Sequence, residues 1–163
     1  MKRLVTEVYV DGDWWLPIVE EAKEKLRAMG IILDGVFFEL GRNRHIGFRS
    51  VSIDLKNSQL LSWLQSASGE WEKAIRVLSM LRLMDEEASI GDYVWVEDVT
   101  WNEHGVYVRV FVSRDMDELL EEFGYADLDV QEMEETLEGL LKCEADDILK
   151  SLEKEYWSQF KGA

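Results

Sequence analysis

A run of acidic residues between positions 115 and 138, interrupted at short intervals by apolar side chains, constrains this chain more than any other feature. The run holds eleven Asp or Glu residues and no Lys or Arg. Because Leu119, Leu120 and Leu137 recur between the acids, the charge cannot surround the chain on every side. The pattern predicts amphipathic helices that expose acids and bury an apolar face. Like charges at this density repel one another, and solubility can be reached with fewer and mixed charges, so one interpretation is a surface for a basic partner; the other is a solvated acidic face in a generally acidic protein.

Composition indicates a folded chain despite the net charge of −16. Hydrophobic residues make up 47% of the sequence and include seven Trp, so a substantial core can form. We therefore expect one domain over residues 1–163, with an acidic helical part over 115–163. That part holds 16 acids and 4 bases (net −12), whereas residues 1–114 hold 18 acids and 14 bases (net −4).

The acidity argues against two classes of partner. Direct binding of nucleic acid or of an anionic membrane needs a broad face of clustered Lys and Arg, which this composition disfavours. No apolar run is long enough for a membrane span or a signal peptide, so we expect a cytoplasmic protein. The one cysteine, Cys143, excludes an internal disulfide framework and is expected to be a buried, unreactive thiol.

Helical periodicity and capping residues predict helices over residues 14–29, 57–84 (with a break near 66–69), 115–123 and 129–160. Asp13 is the expected N-cap of the first helix, Ser113 or Asp115 that of the third, and Gly124 its stop. Trp157 is expected on the buried side of the last helix.

Two β-hairpins are predicted, from strands 31–40 and 46–55 around a turn at 41–45, and from strands 93–101 and 106–112. In the last strand Val106, Val108 and Val110 alternate with Tyr107 and Phe111, which places the valines on one face. We expect the hairpins to join in a four-stranded antiparallel sheet with helices packed on one face. The result is an α+β fold in the order αββ-α-ββ-αα.

Support for catalysis is thin. The only histidines, His45 and His104, fall in predicted turns, and a zinc site would need both of them with carboxylates from separate hairpins. The chain lacks a phosphate-binding glycine loop and a nucleophile-elbow motif. We expect no enzymatic activity, no cofactor and no bound metal.

A locally basic loop contains Arg42, Arg44, His45 and Arg49. Arg binds phosphate or carboxylate in bidentate geometry, so one interpretation is an anion-binding site in a small regulatory domain. The other is that the loop docks on the acidic C-terminal half of the same chain. Tryptophan is also a frequent interface anchor, and a homodimer formed through such a residue is a further possibility.

Three segments resemble a group of small acidic proteins encoded by phages and mobile elements. They are WWLPIVEEAKEKLRAMGIILDGVFFEL at 14–40, GRNRHIGFRSVSIDL at 41–55 and DDILKSLEKEYWSQF at 146–160. The resemblance implies a mobile-element origin and a protein that acts on host machinery.

The acidic run and this resemblance lead to one functional hypothesis. We expect a non-enzymatic protein that binds a basic, nucleic-acid-handling host protein, as a DNA-mimic-like inhibitor of a host defence system would. As a single helix, residues 115–138 would carry one charge per about 3.3 Å, close to the roughly 3.4 Å of one DNA strand. The predicted contact residues are Asp115, Asp117, Glu118, Glu121, Glu122, Glu134, Glu135 and Glu138.

Overall fold

A computed structural model of the chain describes residues 13–160. In this range the elements are α1 (Leu16–Ala28), β1 (Ile31–Ile32), β2 (Gly35–Glu39), β3 (His45–Arg49), β4 (Ser52–Ile53), α2 (Ser58–Ala67), α3 (Gly69–Arg82), a 3₁₀ turn (Ile90–Asp92), β5 (Val94–Asn102), β6 (Gly105–Val112), α4 (Arg114–Glu122) and α5 (Val130–Phe160). The fold is therefore α+β. The expectation that the chain begins without a signal peptide concerns residues 1–12, which lie outside the described residues.

The helices lie where periodicity predicts them, and capping explains most of their limits. Ser68 separates α2 from α3, and its hydroxyl accepts a hydrogen bond from the Trp71 N–H at 3.3 Å. Ser113 caps α4, and Gly124 ends it with a φ of 81° that favours glycine. The prediction for Asp13 is wrong, because α1 has no side-chain N-cap and its N-cap residue is Trp15.

The first hairpin forms, but a kink divides its ladder into two short pairs. Ile31 lies opposite Ile53 in β1–β4, and Glu39 lies opposite His45 in β2–β3, so one register runs through both pairs. Ser50 lies between the pairs with a φ of 53°, a left-handed conformation that is uncommon for a residue other than glycine. This local turn of the backbone interrupts the ladder.

The predicted four-stranded sheet is wrong, because the described strands form three separate two-stranded sheets. Side chains rather than a backbone ladder connect the two hairpins. The Trp101 indole N–H donates to the Ile46 carbonyl at 3.1 Å, and the Trp101 ring packs on Phe48 with centroids 4.7 Å apart. Gly47 gives these rings room, since a Cβ there would overlap Trp101 and Phe37.

A β-bulge aligns β5 with the core. The register shifts between Val96 and Asp98, which leaves one extra residue in β5. Strict alternation from Val96 would point Val99 and Trp101 outward. The extra residue restores both to the inner side, where they pack against the core.

The last helix, α5, is the centre of the molecule because it packs against β3, β6, α1, α2 and α3. Its apolar stripe is buried along most of its length, but Trp157 is 50% exposed and the neighbouring Tyr156 is buried. The prediction that Trp157 faces inward is therefore wrong by one position. Between residues 13 and 160 no helix is both long and apolar enough to cross a membrane. The buried residues of α5 are Met133, Leu137, Leu140, Leu141, Ala145, Ile148, Leu149, Leu152 and Tyr156.

Candidate functional site

The short helix α4 presents the densest exposed charge of the predicted contact residues. Met116 and Leu120 are buried and anchor the helix, while every acid in it is exposed. Apart from Arg114 at its first position, α4 contains no base. We call the five exposed acids the α4 acid face: Asp115, Asp117, Glu118, Glu121 and Glu122.

The α4 acid face is not neutralised by neighbours within the described part of the chain. Among residues 13–160 no ion pair joins any of its carboxylates to a Lys or Arg. The nine residues of α4 span about 13.5 Å, so five charges lie along it at about one per 2.7 Å. With Arg114 included, α4 carries a net of four negative charges, or one per about 3.4 Å, which equals the charge density of one strand of B-DNA, at roughly one per 3.4 Å.

Gly124 divides the acidic run, so the continuous 24-residue helix does not form. The connection from α4 to α5 is instead fastened to α3. The Asp129 N–H donates to the Glu70 carboxylate at 2.7 Å, and Lys73 donates to the Asp127 carbonyl at 3.4 Å. DNA-like charge spacing therefore applies to α4 alone rather than to the whole run.

Two of the predicted contact residues on α5 are engaged within the fold. The Val110 N–H donates to the Glu134 carboxylate at 2.9 Å, and the Val108 N–H donates to the Glu138 carboxylate at 2.8 Å. Both glutamates are partly buried, and they occupy the edge of β6 that faces away from β5. Glu135, between them in sequence, is exposed and accepts from the Gln131 side chain at 3.1 Å.

The spacing of these bonds explains how a helix can cover a strand edge. Residues four apart on a helix are separated by about 6 Å along its axis, and residues two apart on a strand by about 6.7 Å. The spacing of the Glu134 and Glu138 carboxylates thus matches the spacing of the two outward N–H groups of Val110 and Val108. With this edge occupied by carboxylates, no further strand is needed to satisfy the N–H groups, which explains why the predicted sheet does not extend here.

The basic residues of the loop lie in different surroundings and do not form one site. Arg44 Nε donates to the Glu153 carboxylate on α5 at 2.8 Å, and this hydrogen bond raises the pKa of the Arg44 guanidinium above its usual value. The His45 ring Nδ1 lies 2.7 Å from the Asn43 carbonyl. Arg42 and Arg49 are exposed, and Arg49 borders a different cleft from His45. Arg44 therefore docks on the acidic half, as one of the two interpretations expected.

Both histidines border one cleft of about 430 Å³ between the hairpin ends and α5. Its charged lining also contains Arg44 and Lys142, but three carboxylates, those of Glu103, Glu138 and Asp146, outnumber these two bases. Within the described residues no group of three or more His, Cys, Asp or Glu is placed to hold a metal ion. The cleft has no excess of positive charge for an anion.

The second hairpin carries an exposed aromatic pair that was not predicted from the sequence. Trp95 and Phe111 are cross-strand neighbours whose rings stack with centroids 4.4 Å apart and an interplanar angle of 24°. They are 37% and 40% exposed. The alternation of β6 had placed Phe111 on the face opposite the valines, and this pattern could have indicated that Phe111 is exposed.

Cys143 was predicted to be buried and is exposed.

Comparison of the chain with protein-family models, with curated proteins and with solved structures gives no significant match.

Proposed function

We propose that this chain is a non-enzymatic interaction protein that binds a basic, nucleic-acid-handling protein through the α4 acid face. The partner would be a host protein, such as a component of a defence system, whose phosphate-binding groove the carboxylates occupy. The chain would thereby compete with nucleic acid for that groove and act as a DNA-mimic-like inhibitor.

The observation that carries the proposal is the state of the five carboxylates on α4. They are exposed, they lie on one short helix held by Met116 and Leu120, and no ion pair among the described residues neutralises them. Packing of a rigid helix fixes the spacing of these charges before a partner arrives. A preorganised surface loses less conformational freedom on binding than a flexible acidic tail.

The charge distribution predicts the kinetics of such an encounter. A surface of one sign steers an oppositely charged partner and raises the association rate, and added salt screens this attraction. We expect an association rate that falls steeply with ionic strength and a dissociation rate that changes little. The chain itself is expected not to bind nucleic acid.

A displacement experiment tests the proposal. Protein partners are captured from host lysate on the immobilised chain, and the DNA- or RNA-binding members are then purified with labelled nucleic acid bound. The native chain is expected to displace the nucleic acid stoichiometrically. The variant E118K/E121K/E122K is expected to lose displacement. These three acids lie in the C-terminal half of α4, where Lys interacts favourably with the helix dipole, so the helix is retained.

The matched control is E21K/E24K/D147K, which reverses three exposed acids outside the acidic run. Both triple variants bring the net charge from −16 to −10, so they differ only in where the charge is placed. Equal loss of displacement in both variants would show that total charge, rather than the α4 acid face, is responsible.

A second control addresses the basic loop. The variant R42E/R49E reverses its two exposed arginines and spares Arg44, which is paired with Glu153. We expect this variant to displace nucleic acid as the native chain does. Loss of binding in this variant alone would favour the anion-binding interpretation instead.

A further inference from the structure

We propose that the aromatic pair, Trp95 and Phe111, is a docking site for an arginine side chain of the basic partner. This inference rests on the proposed function and adds to it a second recognition element beside the α4 acid face. The docking site adds to the preference for arginine over lysine that bidentate binding by the carboxylates of the acidic surface already gives.

The position of the pair is unusual for large apolar side chains. Val94, Val108 and Val110 cover the inner side of the second hairpin and are buried, whereas the pair stands on the outer side. The two rings are held by their cross-strand register and by mutual stacking, so they form a rigid surface. Each ring has one face turned away from the other, and both rings remain about two-fifths exposed.

The charges around the pair favour a cationic occupant. Glu97 lies two residues after Trp95 in β5 and is exposed, and the α4 acid face begins at Asp115, directly after Arg114. Asp115 is four positions after Phe111 in the chain, so their Cα atoms lie within about 14 Å of each other. An extended partner segment of about four or five residues can therefore reach both sites.

Arg109 lies on the same outer face, where its charge alone would repel a cation. Asp98 is its cross-strand partner, so the two opposite charges offset each other at the middle of the hairpin. The Thr100 hydroxyl donates to the Asp98 carboxylate at 3.0 Å, which holds that carboxylate on this face. The outer face therefore carries no net positive charge next to the pair.

Arginine fits this surface better than lysine for a geometric reason. Its guanidinium is planar, stacks on aromatic rings, and binds carboxylates through a rigid set of donors. A lysine ammonium is a compact, strongly hydrated charge that gains less from stacking. A second copy of the chain is disfavoured as the occupant, because two molecules of net charge −16 would bring their acids together.

The test compares capped Arg-only and Lys-only peptides of equal length, with binding measured by calorimetry. The native chain is expected to prefer the Arg peptide, and the two rings are expected to contribute roughly two- to fivefold to this preference, the range of an exposed cation–π contact. The variant W95T/F111T is expected to lose the part of the preference that depends on the rings, since Thr keeps strand propensity without a ring, and to keep only the preference due to carboxylates. The control Y107T removes another exposed aromatic from the same face and is expected to keep the preference.

The outcomes separate this inference from the proposed function. Equal affinity of the native chain for both peptides overturns the arginine site, and this comparison needs no folded variant. An arginine preference in W95T/F111T as large as that of the native chain also overturns it. Loss of binding by E118K/E121K/E122K to both peptides supports the acid face independently. A native dimer that W95T/F111T converts to a monomer would show that a second copy covers the pair, which overturns the inference.

Discussion

Glutamates within one turn of α5 have different roles because their surroundings differ. Glu135 is exposed, whereas Glu134 and Glu138 are partly buried and accept hydrogen bonds from β6. A carboxylate that accepts a backbone N–H supplies a charge-assisted hydrogen bond to a group that would otherwise lack a partner. Residue type alone therefore does not identify a contact residue in a chain with 34 acids.

Glu138→Ala is expected to destabilise the chain by about 1–3 kcal/mol, because it leaves the part-buried N–H of Val108 unsatisfied. Glu138→Gln is expected to cost less, since its amide oxygen can still accept. Urea unfolding followed by circular dichroism measures the difference in the free energy of unfolding.

Glu135→Ala is the control for this prediction, because its side chain is exposed in the adjacent turn. Its effect is expected to lie within about 0.5 kcal/mol. Equal effects of the Glu135 and Glu138 substitutions would contradict the edge-covering role of Glu138.

The hairpins and helices are defined locally, but their junctions depend on particular side chains. Trp101 connects the second hairpin to the first through the Ile46 carbonyl and the Phe48 ring. Gly47 lies between Trp101 and Phe37, where only a residue without a Cβ fits. The junction is a packed side-chain contact and not a strand pairing.

Gly47→Ala is expected to destabilise the chain by about 1–3 kcal/mol, because its methyl group forces apart the aromatic rings of the junction. Thermal unfolding at matched protein concentration provides the measurement.

Gly139→Ala is the matched control for Gly47→Ala. Gly139 lies within α5, and a Cβ there would meet no atom within 4 Å. Alanine should stabilise the helix by about 0.5–1 kcal/mol, so the two substitutions are expected to have opposite signs. A loss of stability in both variants would argue against the junction as the cause.

The molecule as a whole is under electrostatic strain that the fold tolerates. Net charge far from zero destabilises a folded chain through self-repulsion, and the charge here is concentrated in residues 115–163. The ion pairs Arg44–Glu153 and Lys25–Glu144 relieve part of this repulsion by joining the N-terminal half to α5.

The melting temperature is accordingly expected to rise when sodium chloride is added at low ionic strength, since screening over about 10 Å at 0.1 M weakens repulsion between surface charges. The dependence should be weaker for E118K/E121K/E122K, whose net charge is −10. Differential scanning calorimetry across a salt series tests this, and a melting temperature that falls with salt would contradict it.

Much of the local structure could be predicted because its causes are local. The helix break near residues 66–69, the cap at Ser113, the stop at Gly124 and the valine alternation of β6 each depend on residues a few positions apart. The prediction for Trp157 was wrong because α5 packs against different elements along its length. Which residue of a given turn is buried depends on the element that packs there, and at the end of α5 it is Tyr156. The prediction of a four-stranded sheet was wrong because the edge of a strand can be covered by side chains as well as by another strand.

The amino-acid sequence by itself determined that α4 and α5 are amphipathic, that two hairpins form, and that the charge is concentrated in residues 115–163. These properties follow from periodicity, turns and composition, which involve near neighbours in the chain. Tertiary structure alone decided which acids remain exposed, because Glu134 and Glu138 meet β6 only when α5 packs along its edge. It likewise brought the stacked Trp95–Phe111 pair to the surface, since their register depends on a bulge and a partner strand.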